Sequence, residues 1–468
     1  MPIYLDIGAV QIQPWLGRTN DLKGRRGASG MLALATSRSH WDSRLPAGSE
    51  WNVEAGDVDG VVSLRVDDSV SAEAVARECL VELRAELPSA AFETSWASGT
   101  SYFEAYPEMA RRRERGEGLT ALPSTPELPL ALPCARCAAS PASEEVSLAE
   151  GERHLVCADC GRRYAHAGDR GRPAPIIDRA LTSVAEVLRC RPDELTVPDD
   201  MEALALVGHG DLDDAATRVA VIYADGNNVG AFMQAAAKNA TVNKEEIAAA
   251  INDSTLAAFG AAAAMARADL NLAVVPHMLG GDDLVVSTTA RYAWAFLITF
   301  LDAFSNQLKS RTAGWPKEVT ESLPTASAGI VVHHRSRPLS DCIDIASHAM
   351  AAAKELPGPA VQYLDLFQDK PEAIDERSRS PRTLDWIERR RPAWTSLAQR
   401  PSSVRKTLVG HTRLSDPARA LAEFQATTTK FALNEFDNDL GDLDAARWLL
   451  DLAADIDVAD DDVAEEKK

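Results

Sequence analysis

Apolar residues recur along this chain in two spacings. Runs of four to ten positions are rich in Val, Ile, Leu and Tyr, and between them lie stretches with an apolar residue every third or fourth position. The first spacing predicts strands at Ile3 to Ile12, broken by Gly8, and at Val58 to Asp67. The second predicts a helix through Ser29 to Leu34. It predicts another from Ser71 to Leu87, where Val75, Cys79, Leu80, Leu83 and Leu87 share one face. Ser71 is its N-cap and Pro88 its terminator. Tyr102 to Ala110 forms one more element, which completes a strand–helix–strand–helix unit over 1–120.

A clearer unit of the same kind follows over 211–369. Arg218 to Ala224 (RVAVIYA) reads as a buried strand, and Asp225 to Gly230 (DGNNVG) as its turn. Helices are predicted at 230–239 and 244–268. Leu272 to Leu279, Gly280-Gly281-Asp282-Asp283 and Leu284 to Thr288 read as strand, turn and strand. A helix at Trp294 to Ser310, a strand at Thr325 to His334 and a helix at Ser340 to Leu356 complete it. Between the units, 121–210 holds a Pro-rich linker (Leu122 to Pro133), paired cysteines and a helix near Ile176 to Arg189. The chain turns helical and charged over 370–455 and ends in an acidic tail, 456–468.

The balance of 46% hydrophobic and 25% charged residues over 468 positions excludes a disordered or collagen-like chain. A net charge of -21 excludes an overall basic nucleic-acid coat while leaving room for local basic patches. The basic stretch Lys370 to Arg413, with Trp386 and Trp394 interleaved, fits either single-stranded RNA contact or a solvated face paired to Asp385 and Glu388. Arg18, Lys23, Arg25 and Arg26 stand close enough to the first unit's glycine turn to meet a triphosphate or a neighbouring subunit. His333-His334, at a strand end, read as surface residues. The opening Met1 to Asp6 has no basic n-region or apolar h-region, and the apolar stretch Leu256 to Val275 is broken by Arg267, Asp269 and Asn271. No signal peptide and no membrane span are expected, which points to a cytoplasmic protein.

Two constellations carry chemistry. Asp225 at one strand tip and Asp282-Asp283 in a tight turn offer the hard oxygen ligands that Mg2+ or Mn2+ requires. Phosphoryl transfer from a nucleoside triphosphate uses such ions to neutralise charge. Gly280 and Gly281 permit positive φ and a close ligand, and the helix opening after Gly226 to Val229 presents free N–H groups to phosphates. The plainer reading is a hairpin turn. The second constellation is Cys134-x-x-Cys137 with Cys157-x-x-Cys160, whose spacing fits a structural Zn2+ held by four thiolates. Cys79, Cys190 and Cys342 read as core residues.

Four motifs in order carry a resemblance: Tyr223 to Gly230, His277 to Leu284, Ser327 to His334 with Pro338-Leu339, and Ala349 to Lys354. Together they resemble the second palm domain of the large subunit of type III CRISPR effector complexes, the polymerase that cyclises ATP into oligoadenylates. Ile7 to Gln11 with Arg18 to Leu22 and Ser29 to Leu32 is similar to the opening of that family's first palm. The resemblance implies an α+β chain: two ferredoxin-like palm domains, a zinc module between them, and a C-terminal helical domain. It implies that Asp225, Asp282 and Asp283 hold the catalytic metals. It further implies that Gly226, Asn227, Asn228, Val229, Gly280, Gly281 and Ser327 lie at the nucleotide, and that Lys354 reaches a phosphate; as a helix lysine, Lys354 reads equally as solvated. The implied activity is metal-dependent synthesis of cyclic oligoadenylates from ATP in antiviral defence, with guide RNA, target RNA and other effector subunits as partners. A non-catalytic palm scaffold and a cyclic dinucleotide synthase are the alternatives. Many members begin with a nuclease domain bearing a His-Asp doublet, whereas none of the nine histidines here precedes an Asp. The family's second acid, two residues after the first, is Asn227 here.

Overall fold

The computed structural model describes residues 1–19, 21–56, 58–123, 131–147, 153–169, 172–208, 217–237, 242–367, 380–412, 416–430 and 443–453. Asn20, most of the Pro-rich linker, Lys370, Arg377, Arg379, Arg413 and the acidic tail lie outside the described residues.

The first unit opens with β1 (Ile3–Val10), α1 (Ile12–Leu16), α2 (Leu22–Ala35) and α3 (Arg38–Trp41). It continues through β2 (Ser49–Trp51), β3 (Val61–Val66), α4 (Ala72–Glu86), β4 (Ala91–Ser98), α5 (Tyr102–Glu114) and β5 (Thr120–Ala121). Ser71 caps α4 by accepting from the Ala74 amide, as its sequence predicts. The antiparallel sheet has the order β2-β3-β1-β4-β5. Alternation along β1 sends Leu5 and Ile7 into a core with Met31, Val75, Cys79 and Leu83, and sends Tyr4 and Asp6 to the opposite face, beside Tyr102 and Met109 of α5.

The middle segment carries the hairpin β6 (Glu144–Ser147) and β7 (Arg153–Val156), α6 (Ala158–His166), the short ladder of β8 (Gly168–Asp169) with β9 (Arg172–Pro173), α7 (Pro175–Leu188) and α8 (Met201–Leu206).

The second unit contains β10 (Arg218–Asn227), α9 (Val229–Ala237) and α10 (Lys244–Met265), capped by an Asn243–Glu246 capping box. A short ladder of β11 (Arg267–Ala268) with β12 (Asn271–Leu272) leads to β13 (Val274–Gly280) and β14 (Asp283–Thr289). Then come α11 (Ala290–Arg311), α12 (Lys317–Thr320), β15 (Thr325–His334), α13 (Leu339–Ala353) and β16 (Ala360–Asp365). β17 (Arg382–Thr383) closes the sheet, of order β13-β14-β10-β15-β16-β17; only β15 and β16 run parallel, with α13 as the crossover. By length and composition α10 could cross a membrane, but 56% of that stretch is buried, and it is the core helix of this unit.

In both units the second, third, first and fourth strands lie side by side in that order, the ferredoxin-like arrangement. The exits from the first strands agree as well: Gln11 and Asn228, both left-handed with φ of 53° and 61°, lead directly into α1 and α9. Beyond β17, α14 (Leu384–Arg389), α15 (Arg391–Ala398), α16 (Ser402–Thr412), α17 (Pro417–Lys430) and a helical stretch at 443–453 pack on the second unit. Trp448 anchors them, with its ring 5.7 Å from Trp294 and 6.2 Å from Tyr363.

Candidate active site

β10 is apolar on both faces because helices cover one side and α13 the other, so it reads as a continuous buried run up to its polar tip. The tip departs from expectation. Gly226 and Asn227 remain in the ladder opposite Ala326 and Thr325, and the chain turns only at Asn228, whose φ is 61°. β13 and β14 form a hairpin in which Gly280 pairs with Asp283, and Gly281 adopts φ 59°, the conformation glycine favours. Helix α10 grips this turn: Asn252 Oδ1 accepts from the Gly281 amide at 3.2 Å, and the Thr255 hydroxyl donates to the Gly281 carbonyl at 2.6 Å.

The three acids converge. A Cβ on Gly226 would lie 2.7 Å from Asp282 Oδ2, so only glycine lets the Asp282 carboxylate pass beside β10. Lys354 Nζ donates to Asp225 Oδ2 at 2.5 Å and to the Gly226 carbonyl at 2.8 Å. Burial, then the charge of Asp225, raises the Asp282 carboxyl above the usual range, and the two side chains share a hydrogen bond. The Asp283 carboxyl is pushed up to about 8 by burial first, then by Asp225 and Asp282, against the opposing pull of Lys354. One ammonium faces three carboxylates. A site so rich in hard oxygen donors and short of positive charge suits a divalent cation.

Two expected nucleotide contacts turn inward instead. Asn227 Nδ2 lies 3.0 Å from Thr325 Oγ1, 2.8 Å from Ser327 Oγ and 3.0 Å from the Gly358 carbonyl. Ser327 is fully buried and accepts from the Ala360 amide at 3.1 Å. This pair stitches β10 to β15 and the start of β16, so neither side chain is directed at a ligand. Lys354 stands on Asp225 rather than in solvent.

A cavity of about 610 Å3 opens between the two units. Gly8, Asp59, Tyr102 and Arg113 line it from the first, and Lys244 and the Gly280–Asp283 turn from the second. Arg179, on α7, also faces it and pairs with Asp59 at 2.6 Å. Lys244 Nζ donates to Tyr102 Oη at 2.7 Å and lies 4.3 Å from the Tyr102 ring centre; burial lowers its pKa to about 8. Sequence reasoning missed Asn252, Thr255, Asp59 and Arg179, since each acts on residues far along the chain and no local pattern marks it.

The sulfurs of Cys134, Cys137, Cys157 and Cys160 lie within 4.8 Å of one another, with Cys137 and Cys157 3.7 Å apart. Tetrahedral Zn–S bonds of about 2.3 Å space sulfurs about 3.8 Å apart, so the donor set and its spacing fit zinc. Hydrogen bonds from Cys157 and Cys160 drive the Cys137 thiol far down, while bonding to Cys137 pushes Cys157 up to about 11 and Cys160 higher still. Cys137 ionises readily, whereas Cys157 and Cys160 require a cation to do so. Arg18 Nη2 donates to Ser140 at 2.8 Å and points toward Cys137 Sγ at 3.8 Å.

Several basic side chains sit elsewhere than expected. Arg18 serves the cysteine module, and Arg25 and Arg26 are buried, so none of them stands at a triphosphate. Arg382, Arg389 and Arg391 pair with Asp444, Asp385 and Glu388. Trp394 is buried and Trp386 rests against Trp448, so no free stacking surface forms on these two rings. Of His333 and His334, expected at the surface, His334 is exposed, whereas His333 is fully buried in the ladder opposite Val219. Cys79 and Cys342 are buried and Cys190 is half-buried.

Residues 218–359 match the family model described as Cas10/Cmr2, second palm domain. No curated protein matches the chain. Among solved structures, a Csm1-Csm4 cassette in complex with cA4 is similar in fold at a TM-score of 0.56 and 11% identity, over 97% of this chain and 70% of that one. A Csm1-Csm4 cassette in complex with AMPPNP gives 0.55 at 12% identity, over 98% and 69%. Csm1 of T. onnurineus gives 0.52 at 12% identity, over 98% and 69%.

Proposed function

We propose, from the match of residues 218–359 to the Cas10/Cmr2 second palm domain, that the protein is a metal-dependent nucleotidyltransferase making cyclic oligoadenylates from ATP within a type III CRISPR effector complex. The observation that carries the reading is the meeting of Asp225, Asp282, Asp283 and Lys354 at the edge of a cavity walled by two palm-like units. The Csm1-Csm4 cassettes of like fold were solved with AMPPNP and with cA4, which supports ATP as substrate and a cyclic product.

Asp225, Asp282 and Asp283 would hold Mg2+ or Mn2+, which when bound neutralises phosphate charge and acidifies an attacking hydroxyl. The chain's own residues do the rest. Asn252 and Thr255 fix the turn that aims Asp282 and Asp283. Lys354 holds Asp225 in place and balances part of the acidic charge before substrate arrives. The N-terminus of α9 follows directly on the strand tip, where free amides favour phosphate. Two nucleotides lie face to face across the cavity. The 3′-hydroxyl of one attacks the α-phosphorus of the other, the bond to pyrophosphate breaks, and repetition followed by ring closure gives 3′–5′ cyclic products. Guide RNA, target RNA and other effector subunits are the partners this reading assigns, and Zn2+ in the four-cysteine module is structural.

Incubation of the protein, with its RNA and protein partners, with ATP and Mg2+ or Mn2+ should yield cyclic oligoadenylates by mass spectrometry. Asp282→Asn with Asp283→Asn should abolish them while the protein remains folded, with a thermal unfolding midpoint no lower than that of the wild type. Undiminished product from that variant would overturn the metal-site assignment, and product from GTP alone would favour the dinucleotide alternative.

A further inference from the structure

Arg18 follows Gly17, the C-cap of α1, and its side chain leaves the first unit for the four-cysteine module. Its Nη2 donates to the Ser140 hydroxyl at 2.8 Å and lies 3.8 Å from Cys137 Sγ, within reach of an N–H···S bond. Only 18% of the side chain is exposed, so a positive charge has been brought largely out of water. Such a charge requires a negative partner. Asp159 is an incomplete one: its Oδ2 stands 3.9 Å from Arg18 Nε, and the same oxygen is already bonded to Arg163 Nε at 2.8 Å. Arg18 Nε has no hydrogen-bond partner among the described residues.

The sulfurs offer what Asp159 does not. Four thiolates around one Zn2+ carry more negative charge than the ion neutralises. N–H groups directed at the sulfurs disperse that excess, and outer partners of this kind typically change metal affinity about 10–100-fold. Cys134 Sγ accepts from the Arg136 amide at 3.4 Å, a bond made within the module. Arg18 is different, because it reaches Cys137 from 119 residues away in the chain.

We infer that Arg18 is the charge partner of the zinc-loaded cysteine cluster, so that holding zinc and seating the module on the first unit are one linked equilibrium. The inference rests on the zinc reading above and is independent of the cyclase reading. A neutral thiol is a weak acceptor, so in the metal-free protein Arg18 keeps only Ser140 and a shared carboxylate. Zinc therefore tightens the seating, and by linkage the seating tightens zinc by the same factor. The consequence reaches the cavity, since Ile12 and Leu16 of α1 and Ser29 and Leu32 of α2 form part of its wall. The same seam contains Tyr164 Oη, which donates to Asp21 at 2.5 Å and touches no sulfur, and this bond supplies the control.

The test uses the full chain loaded with Zn2+ or, for spectroscopy, with Co2+. The wild type should hold one zinc per chain, and chelator competition should show Arg18→Met holding it about 10–100-fold less tightly. Arg18→Lys, a point charge in place of the fork, should fall between the two. The sulfur-to-cobalt charge-transfer band should move to longer wavelength in Arg18→Met and stay in place in Tyr164→Phe, which loosens the seam without altering the charge at sulfur. Removing zinc from the wild type should speed hydrogen exchange of the α1 and α2 amides, and should do so less in Arg18→Met. Thermal unfolding in excess Zn2+ checks that each variant folds; should Arg18→Met fail to fold, Arg18→Lys decides, and zinc held as tightly as in the wild type would overturn the inference. Equal zinc affinity or an unmoved band in a folded Arg18→Met would overturn it as well. A wild type that holds no zinc would defeat the zinc reading and this inference together, whereas zinc held without dependence on Arg18 would defeat this inference alone.

Discussion

Asn227 shows how one residue changes meaning between sequence and structure. At two positions beyond Asp225 it occupies the slot of a second acid, and by residue type alone it is a weakened metal ligand. Its Nδ2 instead lies within 3.0 Å of Thr325, Ser327 and the Gly358 carbonyl. Asn227→Asp would therefore place a carboxylate against a backbone carbonyl with no proton to share. That change should not raise transferase activity, and it should destabilise the protein by about 1–3 kcal/mol, read by chemical denaturation. A more active, equally stable variant would mean that the side chain faces the metals after all. The acids that do converge were legible because each ends an apolar strand or sits in a glycine turn. The inward roles of Asn227 and Ser327 depend on β16 lying beside β15, and no spacing in the sequence announces that parallel neighbour.

At the scale of elements, the cysteine pairs were legible from spacing alone, yet what the module does to the first palm was not. Helix α6 lies so close on α2 that a Cβ on Gly27 would be 1.7 Å from the Arg163 carbonyl. Arg163 is fully buried, bonded to Asp159 at 2.8 Å and to the Trp15 carbonyl at 2.8 Å, with its guanidinium 4.6 Å from the Trp15 ring centre. This packing explains why α2 carries buried arginines where a set facing a triphosphate or a neighbouring subunit was expected. The obstacle at Gly27 is backbone and has no rotamer to change. Gly27→Ala should cost about 3 kcal/mol or more, seen as a lower Tm together with easier loss of zinc to a chelator. An unchanged Tm and unchanged zinc retention would show that the helices can separate freely.

At the scale of the whole molecule, the two palms meet through a buried cation. Lys244 leaves the N-terminus of α10, donates to Tyr102 of the first unit, and lies 4.5 Å from the Tyr106 ring centre, while Tyr102 in turn donates to Asp6 at 2.6 Å. Nothing near Lys244 in the sequence identifies it as a contact between the units, because its partners lie 142 residues away. Burial lowers its pKa from 10.5 to about 8, so the folded protein sheds this proton more easily than the unfolded chain does. Between those two values the unfolded state binds more protons, and the contribution of this group to stability rises with pH. Below about pH 8 both states are charged and the burial penalty is felt in full. Lys244→Met removes the titrating group but keeps a long side chain between the palms. The Tm of the wild type relative to that variant should therefore climb from about pH 8 to about pH 10 and stay level from about pH 6 to about pH 7.5. A difference independent of pH would mean that the ammonium reaches water and that the palms meet without burying charge. The sign also bears on the cavity that Lys244 lines: at neutral pH the desolvated ammonium is held protonated at a cost, and a phosphate oxygen entering the cavity would relieve it.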